Sequence, residues 1–134
     1  MSDIPRGIRN NNPTNIKLGS PWIGLSPTQT DPVFCQFVDA AHGIRAAMLL
    51  IHNDMLEGRN TVSSICARWA PPSENDTTAY EIGVATRLGV KPTEVLQNDQ
   101  IDVTNVTANI IFQENGQQPY DQDTLDLAWQ LTGL

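Results

Sequence analysis

The stretch "IIFQENGQQPY" (Ile110–Tyr120) joins an apolar run to an Asn-Gly break, with one carboxylate, Glu114, at the junction. Upstream positions at steps of four, three and four predict one buried stripe of a helix that ends at this glutamate. The four positions of the stripe are Val103, Thr107, Ile110 and Glu114. Apolar neighbours and the negative end of the helix dipole would both disfavour the charged carboxylate there. The alternative is a solvated glutamate near a helix end.

The overall composition bounds the class of protein. With 134 residues, of which 40% are hydrophobic and 17% charged, the chain is long enough to bury one core, and we expect a single domain over residues 1–134. The net charge of −7 and the lack of a basic stripe argue against a nucleic-acid partner. No apolar run reaches the ~20 residues of a membrane span. The first residues show no signal peptide, so we expect synthesis in a cytoplasm.

Cysteine and histidine usage gives no sign of a metal or another cofactor. Cys35 and Cys66 both stand in apolar stretches, where a free cysteine usually serves as a small core residue. His42 and His52 are ten positions apart in one helical stretch and do not share a face. No group of histidines and cysteines has the spacing of metal ligands. We therefore predict no metal and no cofactor.

Periodicity and capping residues predict a mostly helical chain. Apolar positions at helical spacing follow Asp39, Thr61, Asp76 or Thr77, Asp99 or Asp102, and Asp121 or Asp123, all of which are residue types that cap helices. Residues 1–32 are rich in Asn, Pro, Gly and Ser and predict turns and short extended pieces. "NNNPTNIK" and Val33–Phe37 are the strand candidates. The expected fold class is α+β, mostly α, with a small β-element.

Amide groups and an aromatic ring in the N-terminal segment suggest contacts with a sugar. Asn12 and Asn15 belong to a short Asn-rich turn, and an amide carries both a donor and an acceptor for hydroxyl and N-acetyl groups. Trp22 follows nearby, either as a core residue or as a platform on which a sugar ring stacks. Asn-rich turns are otherwise simply turns.

Two later stretches carry further polar candidates. In "RWAPPSENDTTAY" (Arg68–Tyr80), Glu74 is a second carboxylate, while Asn75 and Tyr80 would line a cleft. Ser, Asn and Asp in this stretch are also typical N-cap residues, and a cap can face a cleft as well. Tyr120, after the Asn-Gly break, either packs in the core or orients the acid.

Several of these stretches, taken in order, resemble a family of phage-encoded, peptidoglycan-degrading virion proteins. The resemblance covers roughly residues 6–130 and rests on "RGIRNNNPTNIK", "GIRAA", "RWAPPSENDTTAY" and "ENGQQPY". That family is similar to lysozymes and lytic transglycosylases. In those enzymes the glutamate helix precedes the Asn-rich segment, whereas here it follows, so the resemblance implies a circularly permuted lysozyme-like domain. Without the permutation, Glu74 becomes the best candidate acid.

The resemblance implies cleavage of the β-1,4 bond between N-acetylmuramic acid and N-acetylglucosamine. Glu114 would be the general acid, and a hydrolase would add a second carboxylate, Glu74 first and Asp76 next. A lytic transglycosylase would need none. The expected partners are peptidoglycan glycan strands, with other virion proteins left open. The expected place of action is the periplasm or cell wall. The protein would arrive there either inside a phage virion or without one.

Two other classes of function remain open from the sequence. One is a non-catalytic phage structural protein that retains the fold. The other is a peptidoglycan-binding module that binds glycan strands without releasing new ends.

Overall fold

The computed structural model describes residues 4–71 and 76–134, and helices dominate these ranges. In chain order they are α1 (Arg6–Arg9), α2 (Ala40–Leu56), α3 (Val62–Trp69), α4 (Thr77–Leu88), α5 (Gln100–Asn115) and α6 (Gln122–Thr132). The expectation of a mostly α fold is confirmed. No helix in these ranges is both long and apolar enough to cross a membrane.

The helices begin where short polar side chains were expected to cap them. Asp39, Asp76, Asp99 and Asp121 each accept a hydrogen bond from a backbone N–H in the first turn of the helix that follows. Thr61 does the same for α3 and forms a reciprocal capping box with Ser64. Each cap satisfies a donor that the helix itself leaves unpaired.

The predicted β-element is much smaller than expected. In the described part of the chain it consists of two isolated antiparallel bridges, Lys17 with Phe34 and Leu25 with Phe37. The amide of Asn12 donates to the backbone carbonyls of Ile16 and Cys35, both at 2.9 Å. Two backbone bonds flank the first bridge, from Cys35 N–H to the Ile16 carbonyl and from Leu18 N–H to the Val33 carbonyl, and the Asn12 amide reinforces this short pairing.

Helix α2 lies between two apolar clusters. The larger one contains Ile44, Met48 and Ile51 of α2 together with buried side chains of α3 to α6. The smaller one contains Ala46 and Ala47 of α2 and lies beneath the N-terminal loops. Because one helix contributes to both clusters, the irregular first third of the chain is fixed relative to the helices that follow it.

Helix α1, which the turn-rich sequence did not predict, is held by an ion pair. Arg6 donates through Nε and Nη2 to the carboxylate of Asp31, at 2.7 and 2.6 Å. The Asp31 carboxylate also accepts from the Asn10 amide and from the backbone N–H groups of Val33 and Phe34. One carboxylate thus ties α1 to the loop that forms the first bridge.

This carboxylate makes the N-terminal region sensitive to acid. The Arg6 guanidinium and the backbone donors hold the pKa of Asp31 well below its usual range. The stability that a depressed pKa contributes is complete above the unfolded-state pKa of about 4, and it declines as the pH falls from there toward the folded-state pKa. We expect Asp31→Asn to lower the melting temperature at pH 7 and to have a smaller effect at pH 3. Thermal unfolding at both pH values measures this, and an equal loss at each would contradict it.

Candidate active site

Glu114 lies in the last turn of α5 and faces a cleft of about 500 Å³. The residues around the cleft come from the N-terminal loops, α2 and α3, and they include three aromatic rings. Those used below are Asn15, Trp22, Phe34, Arg68, Trp69 and Glu114. Helix α5 ends directly after this carboxylate, at Gly116, whose backbone is left-handed (φ 71°). That left-handed residue closes the helix, as glycine at this position commonly does.

Two consecutive residues of α5 hold the Asn-rich turn in place. The Asn15 amide donates to Glu114 Oε1 at 3.2 Å, and the Asn115 amide donates to the backbone carbonyl of Pro13 at 2.7 Å. Asn115 also donates to the carbonyl of Ile111 within its own helix. The Glu-Asn pair therefore joins the N-terminal Asn-rich turn to the end of α5 at the wall of the cleft.

Burial raises the pKa of Glu114 above its usual value. The side chains of Asn15 and Tyr80 oppose this shift in part, because they favour the charged carboxylate. No cation contributes to the pKa of Glu114 among the described residues. The carboxyl group is therefore kept in its protonated form to a higher pH than an ordinary glutamate, as a general acid requires.

Tyr80 of α4 is buried beside Glu114. Its hydroxyl group completes no hydrogen bond of good geometry with any described residue. Burial and the nearby charge of Glu114 both raise the Tyr80 pKa. Cys66 of α3 is buried in the same region, and burial, followed by the charges of Glu81 and Glu114, raises its pKa to about 12. Tyr80 therefore adjoins the acid from the core side, instead of lining the cleft as predicted.

Two predicted sugar contacts are structural in the fold. Asn12 is fully buried, and its amide is used by the backbone of Ile16 and Cys35, so it has no group left for a ligand. Tyr120 packs against the larger apolar cluster, where burial raises its pKa, and it does not line the cleft. Of the two alternatives for Tyr120, packing in the core matches its position in the structure.

The remaining predicted residues divide between the cleft and its surroundings. Trp22 packs on the smaller apolar cluster, as its core alternative has it, and also lines the cleft; its role as a sugar platform stays a prediction. Asp76 caps α4 and is exposed. Glu74 and Asn75 lie outside the described residues.

The sequence did not single out several residues that form the cleft. Phe34 and Trp69 supply aromatic rings, and Arg68 supplies a cation. Asp54, fully buried on α2, accepts hydrogen bonds from Arg68 and Arg59. A signal was available in the sequence, since a lone aspartate on the apolar face of a helix requires a charged partner.

A matched pair of variants tests the hydrogen bond between Asn15 and Glu114. Asn15 and Asn11 both have left-handed backbones (φ 55° and 52°), which glycine adopts without strain. Asn15→Gly removes a group that favours the charged carboxylate, so we expect the pKa of Glu114 to rise further. Asn11→Gly should leave that pKa unchanged. Titration of the ¹³C-labelled side-chain carboxyl groups by NMR measures both, and a fall in the Asn15→Gly pKa would contradict the assignment.

The arrangement suits proton transfer to a polar ligand. A half-buried carboxyl group with a raised pKa faces a cleft with aromatic walls, and an amide orients it. The described residues contain no group of three His, Cys, Asp or Glu side chains that would bind a metal ion.

No family model matches the chain. Protein P5 of Pseudoalteromonas phage PM2 is 38% identical over 130 residues, which cover 93% of this chain and 80% of that protein. The predicted membership of a muralytic, lysozyme-like phage family is wrong, because the relative's name carries no such activity and no such family matches. The circular permutation inferred from that resemblance has no support either. The identity and coverage show that the chain belongs to the family of Protein P5 of phage PM2.

Proposed function

We propose that the chain is a peptidoglycan glycosidase that cleaves the β-1,4 bond between N-acetylmuramic acid and N-acetylglucosamine. The observation that carries the proposal is the half-buried Glu114, whose pKa is raised by burial at the wall of a cleft with aromatic sides. A lysozyme-like placement of an acid between a helical body and a loop region is part of the same proposal. The place of action would be the periplasm or cell wall of a host.

In this mechanism Glu114 donates its proton to the glycosidic oxygen as the bond from that oxygen to the anomeric carbon breaks. The bonding electrons leave with the oxygen, and positive charge develops on the sugar that keeps the anomeric carbon. Trp22 and Trp69 offer faces on which sugar rings can stack. Asn15 holds the carboxyl group in position before and after the transfer.

The number of carboxylates decides how the intermediate is resolved. Glu114 is the one carboxyl group among the described residues that line the cleft. A transglycosylase needs no second one: Glu114, now ionised, would accept the proton of the muramic acid 6-hydroxyl as that oxygen bonds to the anomeric carbon. A hydrolase would add water instead, and Glu74 is the candidate carboxylate to activate it.

Incubation of purified peptidoglycan with the protein, followed by mass spectrometry of the released fragments, tests the proposal. New reducing ends would identify a hydrolase and 1,6-anhydro ends a transglycosylase. Glu74→Gln, compared with the wild type, should abolish product only in the first case. Absence of both kinds of end with the folded wild-type protein would refute the proposal.

A second candidate is a non-catalytic phage structural protein that assembles with other virion proteins. It is favoured by the relationship to Protein P5 of a phage, a name that carries no enzymatic activity. Such a protein would be present in purified virions, and Glu114→Gln would change neither virion assembly nor clearing of the host wall. A glycosidase carried in the virion would also be found there, but Glu114→Gln would then slow the clearing.

A further inference from the structure

Arg68, at the end of α3, lines the same cleft as Glu114, and a buried aspartate holds it there. Its Nε donates to Asp54 Oδ2 at 2.9 Å, and its Nη2 donates to Asp54 Oδ1. The Asp54 side chain is 1% exposed, whereas that of Arg68 is 38% exposed. The guanidinium is therefore fixed from its buried side and open to solvent on another.

The bonds to Asp54 leave part of the guanidinium available. A guanidinium has five N–H donors, and Asp54 engages one on Nε and one on Nη2, so three remain: both on Nη1 and one on Nη2. Arg59 also donates to Asp54 Oδ1, at 2.9 Å, so this carboxylate is shared between two cations. A rigid, planar fork of this kind suits a carboxylate better than a lysine does.

Arg68 is bonded to Asp54 and not to Glu114, whose pKa is governed by burial, Asn15 and Tyr80. The described lining of the cleft thus carries two cationic side chains, Lys17 and Arg68, and a single carboxyl group, Glu114, whose pKa burial raises. In a chain of net charge −7, this is a local environment for an anionic ligand.

We propose that Arg68 binds a carboxylate carried by the glycan and so determines specificity for muramic acid over neutral polymers of N-acetylglucosamine. The inference rests on the proposed function and names the substituent that the cleft selects. Two sources have this chemistry: the lactyl carboxylate of an unsubstituted muramic acid, and a carboxylate of the peptide stem.

Binding experiments separate this inference from catalysis. Tryptophan fluorescence, with Trp22 and Trp69 in the cleft, reports binding of three tetrasaccharides: neutral chitotetraose, a GlcNAc–MurNAc repeat with free lactyl groups, and that repeat with peptide stems. We expect the acidic ligand to bind at least about tenfold more tightly than chitotetraose, as a charge-assisted hydrogen bond allows. Whichever of the two acidic ligands shows this preference identifies the carboxylate.

The variants isolate the guanidinium. Arg68→Gln should make acidic and neutral ligands bind equally, while Arg9→Gln, which removes an exposed arginine elsewhere, should not. Arg59 still pairs with Asp54 in Arg68→Gln, and the double variant Asp54→Asn/Arg68→Gln leaves no buried charge if that single variant unfolds. Equal affinity of the wild type for all three ligands, or no binding of any, would overturn the inference. Preferential binding without bond cleavage would support it and refute the glycosidase.

Discussion

Replacing Glu114 by glutamine is expected to slow glycan cleavage by about 10²–10⁴-fold, the usual contribution of a general acid. Glutamine has nearly the same shape and still offers an oxygen to the Asn15 amide, so the cleft and its ligand binding should persist. The rate of release of reducing or anhydro ends measures the effect. The loss should therefore appear in kcat with little change in KM.

The same variant should be more stable than the wild type near neutral pH. Burial raises the folded-state pKa of Glu114 above its unfolded value of about 4.3. A carboxyl group with a raised pKa binds its proton more tightly in the folded state, so folding is favoured at low pH and loses that advantage as the pH rises through the folded-state pKa. Above that pKa the ionised, half-buried carboxylate destabilises the wild type, and Glu114→Gln removes the penalty. At pH 3 the two proteins should have similar stability.

The matched control is Glu94→Gln, which makes the same chemical change at an exposed position outside the cleft. Denaturant unfolding of the three proteins at pH 3 and pH 7 gives the stabilities, and peptidoglycan digestion gives the rates. Glu94→Gln should match the wild type in both assays. Full activity of Glu114→Gln would move the acid elsewhere, with Glu74 as the next candidate. Lower stability of Glu114→Gln at pH 7 would show that the carboxylate is paired, contrary to its environment in the structure.

Local signals were enough to predict the helical part of this fold. Asp39 and Thr61 begin α2 and α3 as expected, and Gly116 ends α5, because capping and left-handed termination depend on residues within one turn. The four-residue α1 was missed because nothing in "RGIR" itself distinguishes a helix from a turn. The Arg6–Asp31 ion pair that holds it spans 25 positions.

The part of the candidate site that the sequence predicted is the position of Glu114 on the buried face of α5. The spacing of Val103, Thr107, Ile110 and Glu114 placed the carboxyl group on the buried face, and its raised pKa agrees with that placement. The sequence could not predict the hydrogen-bond partner of this carboxyl group, because Asn15 and Glu114 are 99 positions apart. Asn12 and Asn15 are the same residue type in the same turn. The Asn12 amide bonds to backbone carbonyls, whereas the Asn15 amide bonds to Glu114. Only the path of the turn separates them.

That path depends on Gly43 in the first turn of α2, and its replacement is the second large effect we expect. A Cβ added at Gly43 would lie 1.8 Å from the carbonyl oxygen of Asn11, and 3.2 Å from the Cα of Asn12. Backbone atoms cannot rotate aside as a side chain can. Gly43→Ala must therefore push the Asn-rich turn off α2, and with it the amide of Asn15 that contacts Glu114.

We expect Gly43→Ala to cost about 3 kcal/mol of folding free energy, the upper part of the range for overpacking, and to weaken cleavage through loss of the Asn15 contact. Gly83→Ala in α4 is the matched control, since its Cβ would meet the flexible end of Gln113, at 2.7 Å. That side chain can move, and alanine favours a helix over glycine by up to about 1 kcal/mol, so Gly83→Ala should be neutral or stabilising. Denaturant unfolding compares the two. Equal stabilities would mean that the turn does not rest on α2 as the structure has it, because helix propensity alone would then stabilise both variants.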